Sequence, residues 1–232
     1  PLVVVVMGGR PLALEREAEL ADALLLAWYG GTEAGPGLAD MLTGRAEPGG
    51  RLAASLPARS GQTPLHHGAE TTGRPWTGKF EKFRTGYLDL TGPAHPAKGL
   101  FPFGFGLSYT RFQWSKPAVK RDRFSGPGDR ARISVTLTNV GGRRGADVVQ
   151  LYVSDPVARI VRPSQELKGF ERVELDPGES RVVRFTLARD DLAYLVGESV
   201  ETLERVWDPG RFVLHIGPNS RDLQSVEIEW TE

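Results

Sequence analysis

The chain has 232 residues, enough for one large or two modest domains, and its 40% hydrophobic and 25% charged content is globular rather than disordered. Lys and Arg number 29, as do Asp and Glu, so the net charge is zero, which argues against a general nucleic-acid or anionic-membrane binder. There is no cysteine, which excludes disulfides, thiolate chemistry and cysteine-type zinc sites and leaves the compartment open.

No apolar stretch approaches the roughly 20 residues that a membrane-spanning helix needs. The opening run from Leu2 to Met7 is short and has no basic leader, so it reads as a strand and not as a signal peptide. Because Pro1 stands directly before that strand, the chain is expected to be a piece of something longer.

The run from Leu2 to Met7 is continuous and mostly β-branched, which suits a parallel strand covered on both faces. Gly8, Gly9 and Pro11 end it. Helix formers follow from Leu12 to Leu20, and Ala23 to Trp28 reads as a second buried strand. Thr32 is placed to cap a helix from about Glu33 to Leu42, and Gly44 to stop it. Strand, helix, strand, helix predicts α/β architecture with parallel pairing.

Residues 48–99 are irregular, rich in Gly and Pro, and carry His66, His67 and His95. Loops this long inside compact domains are usually functional or cover another surface. The run 100–110 (LFPFGFGLSYT) is dense in aromatics and glycines and stands where the chain changes character. Period two puts Phe101, Phe103 and Phe105 on one face of an extended segment. They are expected to anchor a junction between two domains, with Gly104 and Gly106 allowing close backbone approach.

From about Arg130 the period becomes two throughout. Ile133, Val135 and Leu137 alternate with Ser134, Thr136 and Thr138. Further strands are expected over 148–153, 167–173, 181–187, 212–216 and 226–230, with turns at 139–142, 176–179 and 208–211. Short strands at this spacing predict an antiparallel β-sandwich. The domain expectation is a partial α/β sandwich over 1–112, a linker over 113–129 and a β-sandwich over 130–232.

Four stretches then resemble the C-terminal portion of glycoside hydrolase family 3, the β-glucosidase and β-xylosidase family. They are 7–12 (MGGRPL), 28–35 (WYGGTEAG), 100–110, and 165–170 (QELKGF) with 175–180 (LDPGES). Within the family, 72–76 (TGRPW) and 82–89 (KFRTGYLD) look most like the periplasmic bacterial β-glucosidase group. The resemblance implies an N-terminal (β/α)8 barrel, then an α/β sandwich, then a fibronectin type III-like domain. This chain would hold the C-terminal half of the α/β sandwich and the fibronectin type III-like β-sandwich, an α/β plus all-β fold. It also implies a periplasmic or secreted location, β-linked glucosides or oligosaccharides as substrates of the parent enzyme, and a homodimer as a candidate assembly.

Retaining glycoside hydrolysis needs two carboxyl groups about 5–5.5 Å apart, one a nucleophile and one an acid/base. The resemblance implies that both lie upstream of Pro1, so no catalytic residue is assigned and this polypeptide alone is expected to be inactive. Glu33 follows Gly30-Gly31-Thr32 and opens a helix, where a carboxylate is favoured by the helix dipole and has no partner spaced for catalysis. The Gly30–Gly35 stretch fits neither the dinucleotide nor the P-loop spacing. His66 and His67 lack further ligands at suitable spacing, so neither a metal nor a cofactor is expected.

Residues 70–87 are the candidate substrate contact. Arg74, Trp76 and Arg84, with Lys79, offer an aromatic face for stacking and donors for sugar hydroxyls; the competing reading is a loop packed against another domain or subunit. Arg159, Arg162, Lys168, Arg172 and Arg181 make the β-sandwich locally basic, and nearby acids balance them, which predicts a solvated face. Two functions fit: the non-barrel part of an exo-acting β-glycosidase, or a non-catalytic carbohydrate-binding or assembly module.

Overall fold

A computed structural model describes residues 1–70 and 99–231. These residues divide into two compact units, 1–67 with 99–109, and 68–70 with 110–231.

In the first unit, the β-branched run forms β1 (Val3–Val6). Next come α1 (Glu15–Leu20), β2 (Ala23–Leu26) and α2 (Ala34–Leu42). β1 and β2 pair in parallel, Val3 opposite Ala23 through to Val6 opposite Leu26. α1 starts later than helix propensity suggests because Leu12 and Leu14 serve as core plugs first; Leu14 is buried beside Leu52 and Leu56. β2 ends before Trp28 because Trp28 takes a left-handed conformation, φ 48°, which no strand continues through. Glu33, not Thr32, occupies the N-cap of α2, and its side chain makes no capping bond. Gly44, at φ 73°, ends that helix.

The 100–110 run lies antiparallel to residues 50–56. Leu56 N–H donates to Phe101 C=O at 2.8 Å, Gly104 N–H to Leu52 C=O at 2.7 Å, and Leu52 N–H to Phe105 C=O at 2.9 Å. Phe101 and Phe105 stack with ring centroids 5.1 Å apart and pack on the Leu14–Leu52–Leu56 core. Phe103 stacks instead on His67, at 4.2 Å. The three rings therefore divide between two local partners within the first unit. A Cβ on Gly106 would come within 2.6 Å of the Gly50 carbonyl, so only glycine fits there.

The second unit is a β-sandwich. Its strands are β3 (Phe112–Trp114), β4 (Ala118–Val119), β5 (Arg123–Phe124), β6 (Arg130–Asn139), β7 (Gly145–Ser154), β8 (Glu166–Leu175), β9 (Ser180–Ala188), β10 (Tyr194–Val196), β11 (Glu204–Val206), β12 (Gly210–Gly217) and β13 (Gln224–Trp230). One sheet runs β5-β13-β12-β7-β8. The other is built on β6, which pairs with β9 along nearly its whole length and with β3 and β4 at separate positions. β10 and β11 form a separate antiparallel pair. Residues 113–129, expected as a linker, thus contain strands that pair into both sheets: β3 and β4 on β6, and β5 in parallel on β13.

Period two delivers the core. Ala131, Ile133, Val135 and Leu137 of β6 face Val149, Leu151, Val153, Val173, Leu214, Ile216, Ile228 and Trp230 in one cluster of buried residues. Fully burying each such side chain stabilises by about 1.5–3 kcal/mol. β7 is buried along almost its whole length because β12 and β8 flank it, and its polar residues are satisfied internally. Tyr152 Oη donates to Gln150 at 2.6 Å, and Gln150 Nε2 donates to the Pro218 carbonyl at 2.6 Å.

Candidate functional site

Ligands of open α/β sheets bind outside the carboxyl ends of the parallel strands. In the first unit that end is made by 8–12 after β1 and 28–33 after β2. Trp28 is the one non-glycine with positive φ among the described residues, a strain of about 1–3 kcal/mol that surrounding structure must hold. It leaves Tyr29 79% exposed. Tyr29 lies over Gly9, where a Cβ would come within 2.6 Å of its ring. A small cavity beneath is lined by Gly8, Arg10, Leu12, Leu26, Trp28 and Leu56. Its volume of about 10 Å³ admits at most one water and no sugar ring. Glu33 is exposed at the start of α2. This end of the sheet offers an aromatic face, a guanidinium and one carboxylate. It can bind by stacking and hydrogen bonding, but it does not supply the two carboxyl groups that hydrolysis requires.

The loop bearing the histidines is held from below. Burial, and then the neighbouring His66 charge, lower the pKa of His67, which favours the neutral ring stacked on Phe103. No group of three His, Asp or Glu side chains placed to hold a metal occurs among the described residues. Arg74, Trp76 and Arg84, with Lys79 and His95, lie outside the described residues. The 100–110 run is pinned at its far end by Glu47, which accepts from Ser108 Oγ at 2.5 Å and from Tyr109 N–H at 2.7 Å.

In the second unit a charged network stands where a solvated face was expected. Arg162 has only 6% of its side chain exposed. Its guanidinium reaches Asp155 at 3.2 Å and Glu166 at 2.5 Å and stacks 4.3 Å from the Tyr194 ring centre. Burial raises the pKa of Asp155, and the Arg162 charge opposes it. Tyr194 Oη donates to Asp208, and Arg159 donates to the same carboxylate at 2.8 and 2.6 Å. Those bonds, Tyr194 first and Arg159 second, lower the pKa of Asp208. Basic residues spaced along the chain give no sign of this burial, because the partners come from just past the end of β7, from β8, from β10 and from the turn before β12.

A serine–histidine contact also lies here and is inert. Ser154 Oγ sits 2.8 Å from His215 Nε2, but it donates its proton to the Ser164 carbonyl at 2.6 Å. The imidazole therefore donates to the serine rather than activating it.

Residues 1–109 match the glycosyl hydrolase family 3 C-terminal domain, and residues 147–220 match a fibronectin type III-like domain. A periplasmic β-glucosidase of Salmonella typhimurium is 39% identical over 236 residues, which cover 99% of this chain and 29% of that protein. A β-xylosidase of Formosa agariphila is 37% identical over 230 residues, 98% of this chain and 30% of its own length. Among solved structures, a β-glucosidase from Listeria innocua in complex with gluconolactone superposes with a TM-score of 0.90 at 35% identity, covering 100% of this chain and 31% of that one. The chain thus spans about 30% of the length of these relatives.

Proposed function

Since the chain belongs to glycoside hydrolase family 3, of which it carries the C-terminal domain and a fibronectin type III-like domain, we propose that it is the C-terminal part of a retaining, exo-acting β-glycosidase, β-glucosidase-like, that hydrolyses terminal β-linked sugars. The observation that carries this reading is the state of β1 and β2. β1 is four Val and β2 is Ala23 followed by three Leu, apolar runs of the kind that parallel sheets cover on both faces, yet their residues are at most partly buried. A two-stranded parallel sheet is not independently stable, so these strands call for neighbours from another part of a larger protein. The relatives, of which this chain spans about 30%, have the length to supply them.

In this reading the nucleophilic Asp and the acid/base Glu belong to the remainder, with the (β/α)8 barrel. The described residues supply bracing, and Arg74, Trp76 and Arg84 supply contacts to the substrate. Periplasmic or secreted location follows from the Salmonella relative's name, and a homodimer is the assembly proposed. The test compares residues 1–232 with the complete gene product on an aryl β-glucoside. The complete protein is expected to release nitrophenol and the 232-residue chain none; turnover by the chain at a rate near that of the complete protein overturns the reading.

A further inference from the structure

The register of the β6 sheet builds a cationic groove on the outer side of the second unit. Ala131, Ile133, Val135 and Leu137 point into the core, so Arg130, Arg132, Ser134 and Thr136 point out. β4 is paired alongside with Val119 opposite Ile133, which brings Lys120 to the neighbourhood of Arg132. On the other side of β6, Arg184 stands opposite Ser134. Lys120, Arg121, Arg130 and Arg132 line one groove of about 320 Å³ together with Phe124 and Asp129. Four cations meet one carboxylate there, and Arg121 already pairs with it at 2.8 Å. Arg130 spends donors on the Pro127 and Asp129 carbonyls, which fixes its guanidinium; Lys120 and Arg132 make no ion pair among the described residues. In a chain of zero net charge this is a local surplus of three positive charges.

We propose that this groove binds a carboxylate-bearing polysaccharide, a polyuronate, so that the fibronectin type III-like domain holds the protein on an acidic glycan. Charge complementarity selects an anionic polymer, and the planar guanidinium forks match carboxylates. Single-stranded nucleic acid needs exposed aromatic platforms, and the groove has none: Phe124 is 4% exposed and capped by the Arg121 guanidinium 4.7 Å from its ring centre. The groove also presents no helix or ribbon to insert into a duplex groove. The inference stands apart from the glycosidase reading, because it concerns binding by residues 1–232 alone.

The test is fluorescence anisotropy of labelled polygalacturonate with the 232-residue chain at low salt. Saturable binding is expected, weakened about tenfold between 20 and 200 mM salt and about tenfold in Arg130→Gln/Arg132→Gln. The control Arg172→Gln/Arg211→Gln, on the other sheet, makes the same change in net charge and is expected to bind within about twofold of the unmodified chain. Lys120→Gln/Arg132→Gln, which removes the two cations without an ion pair, is expected to weaken binding about tenfold and gives the reading should the first pair of substitutions fail to fold. The proposal is overturned by the absence of saturable binding, by equal loss in the control, by equal competition from a neutral β-glucan, or by tighter binding of a sulfated glycan or single-stranded DNA.

Discussion

Arg162 shows how much one side chain can organise. It is the second residue of a loop tripeptide, Val161-Arg162-Pro163, yet it pairs with two carboxylates, one of which also meets Lys168, and stacks on an aromatic ring while almost fully buried. Removing one partner of a buried ion pair leaves the other uncompensated. Arg162→Met is therefore expected to destabilise the chain by about 3–5 kcal/mol in denaturant titration. Arg162→Lys is expected to recover little, since a point charge cannot fork between Asp155 and Glu166. Asp208 is the pH-sensitive member of the neighbouring cluster. Its folded pKa lies below the ordinary 3.8, so its contribution is present above that pH and lost as pH falls through the folded value. Asp208→Asn is expected to lower the Tm at pH 7, and the gap from the unmodified chain to close as the pH drops below 3.8, followed by thermal melts.

At the scale of elements, β6 illustrates how strand and turn support one another. Its last residue, Asn139, is wholly buried. Its amide donates to the Arg143 and Leu175 carbonyls at 2.8 and 3.0 Å and accepts from Thr110 Oγ1 at 2.7 Å and Gly141 N–H at 3.0 Å. One side chain thereby ties the start of the second unit, the β6–β7 turn and the end of β8. Asn139→Leu keeps the branched shape of the side chain and abandons all four bonds, so unfolding experiments are expected to show a loss of at least about 2 kcal/mol. The strand pattern of this unit was legible in advance because a half-buried strand repeats every two residues. The short strands within 112–124 were not: two- and three-residue segments carry no period, and only the presence of β6 and β13 makes them strands. Likewise β2 reads as an apolar run to Trp28, and only the tertiary fold puts the backbone reversal at that residue.

For the whole molecule, the two units differ in kind. The second has a continuous core running from Phe124 to Trp230; among the described residues the first has a core of Leu14, Leu52 and Leu56, on which Val6, Leu24 and Leu26 pack while staying only partly buried. That difference supports assigning the first unit to a larger α/β domain. It also sets where the substrate-contact proposal must be tested, which is the complete gene product. There Arg74→Ala is expected to raise KM for an aryl β-glucoside about tenfold with the Tm retained, since a lost hydrogen bond to a sugar hydroxyl costs on the order of 1.4 kcal/mol. An unchanged KM with a lowered Tm identifies the segment as a packing loop.

Family, fold class and the alternation of core residues followed from local order in the chain, because periodicity, turn residues and motif spacing are properties of neighbours in sequence. The 100–110 run belongs to that class as a landmark. Its ring partners do not: Phe101 and Phe105 find Leu14, Leu52 and Leu56, while Phe103 finds His67. The burial of Arg162, the satisfied amide of Asn139 and the cationic groove beside β6 were likewise decided only in three dimensions. Arg162 and Asn139 each depend on a partner some thirty positions away, Tyr194 and Leu175, and the groove gathers cations of 120–132 that only the fold turns to one side; a charge count along the chain is blind to which cations share a groove and which lie beneath a tyrosine.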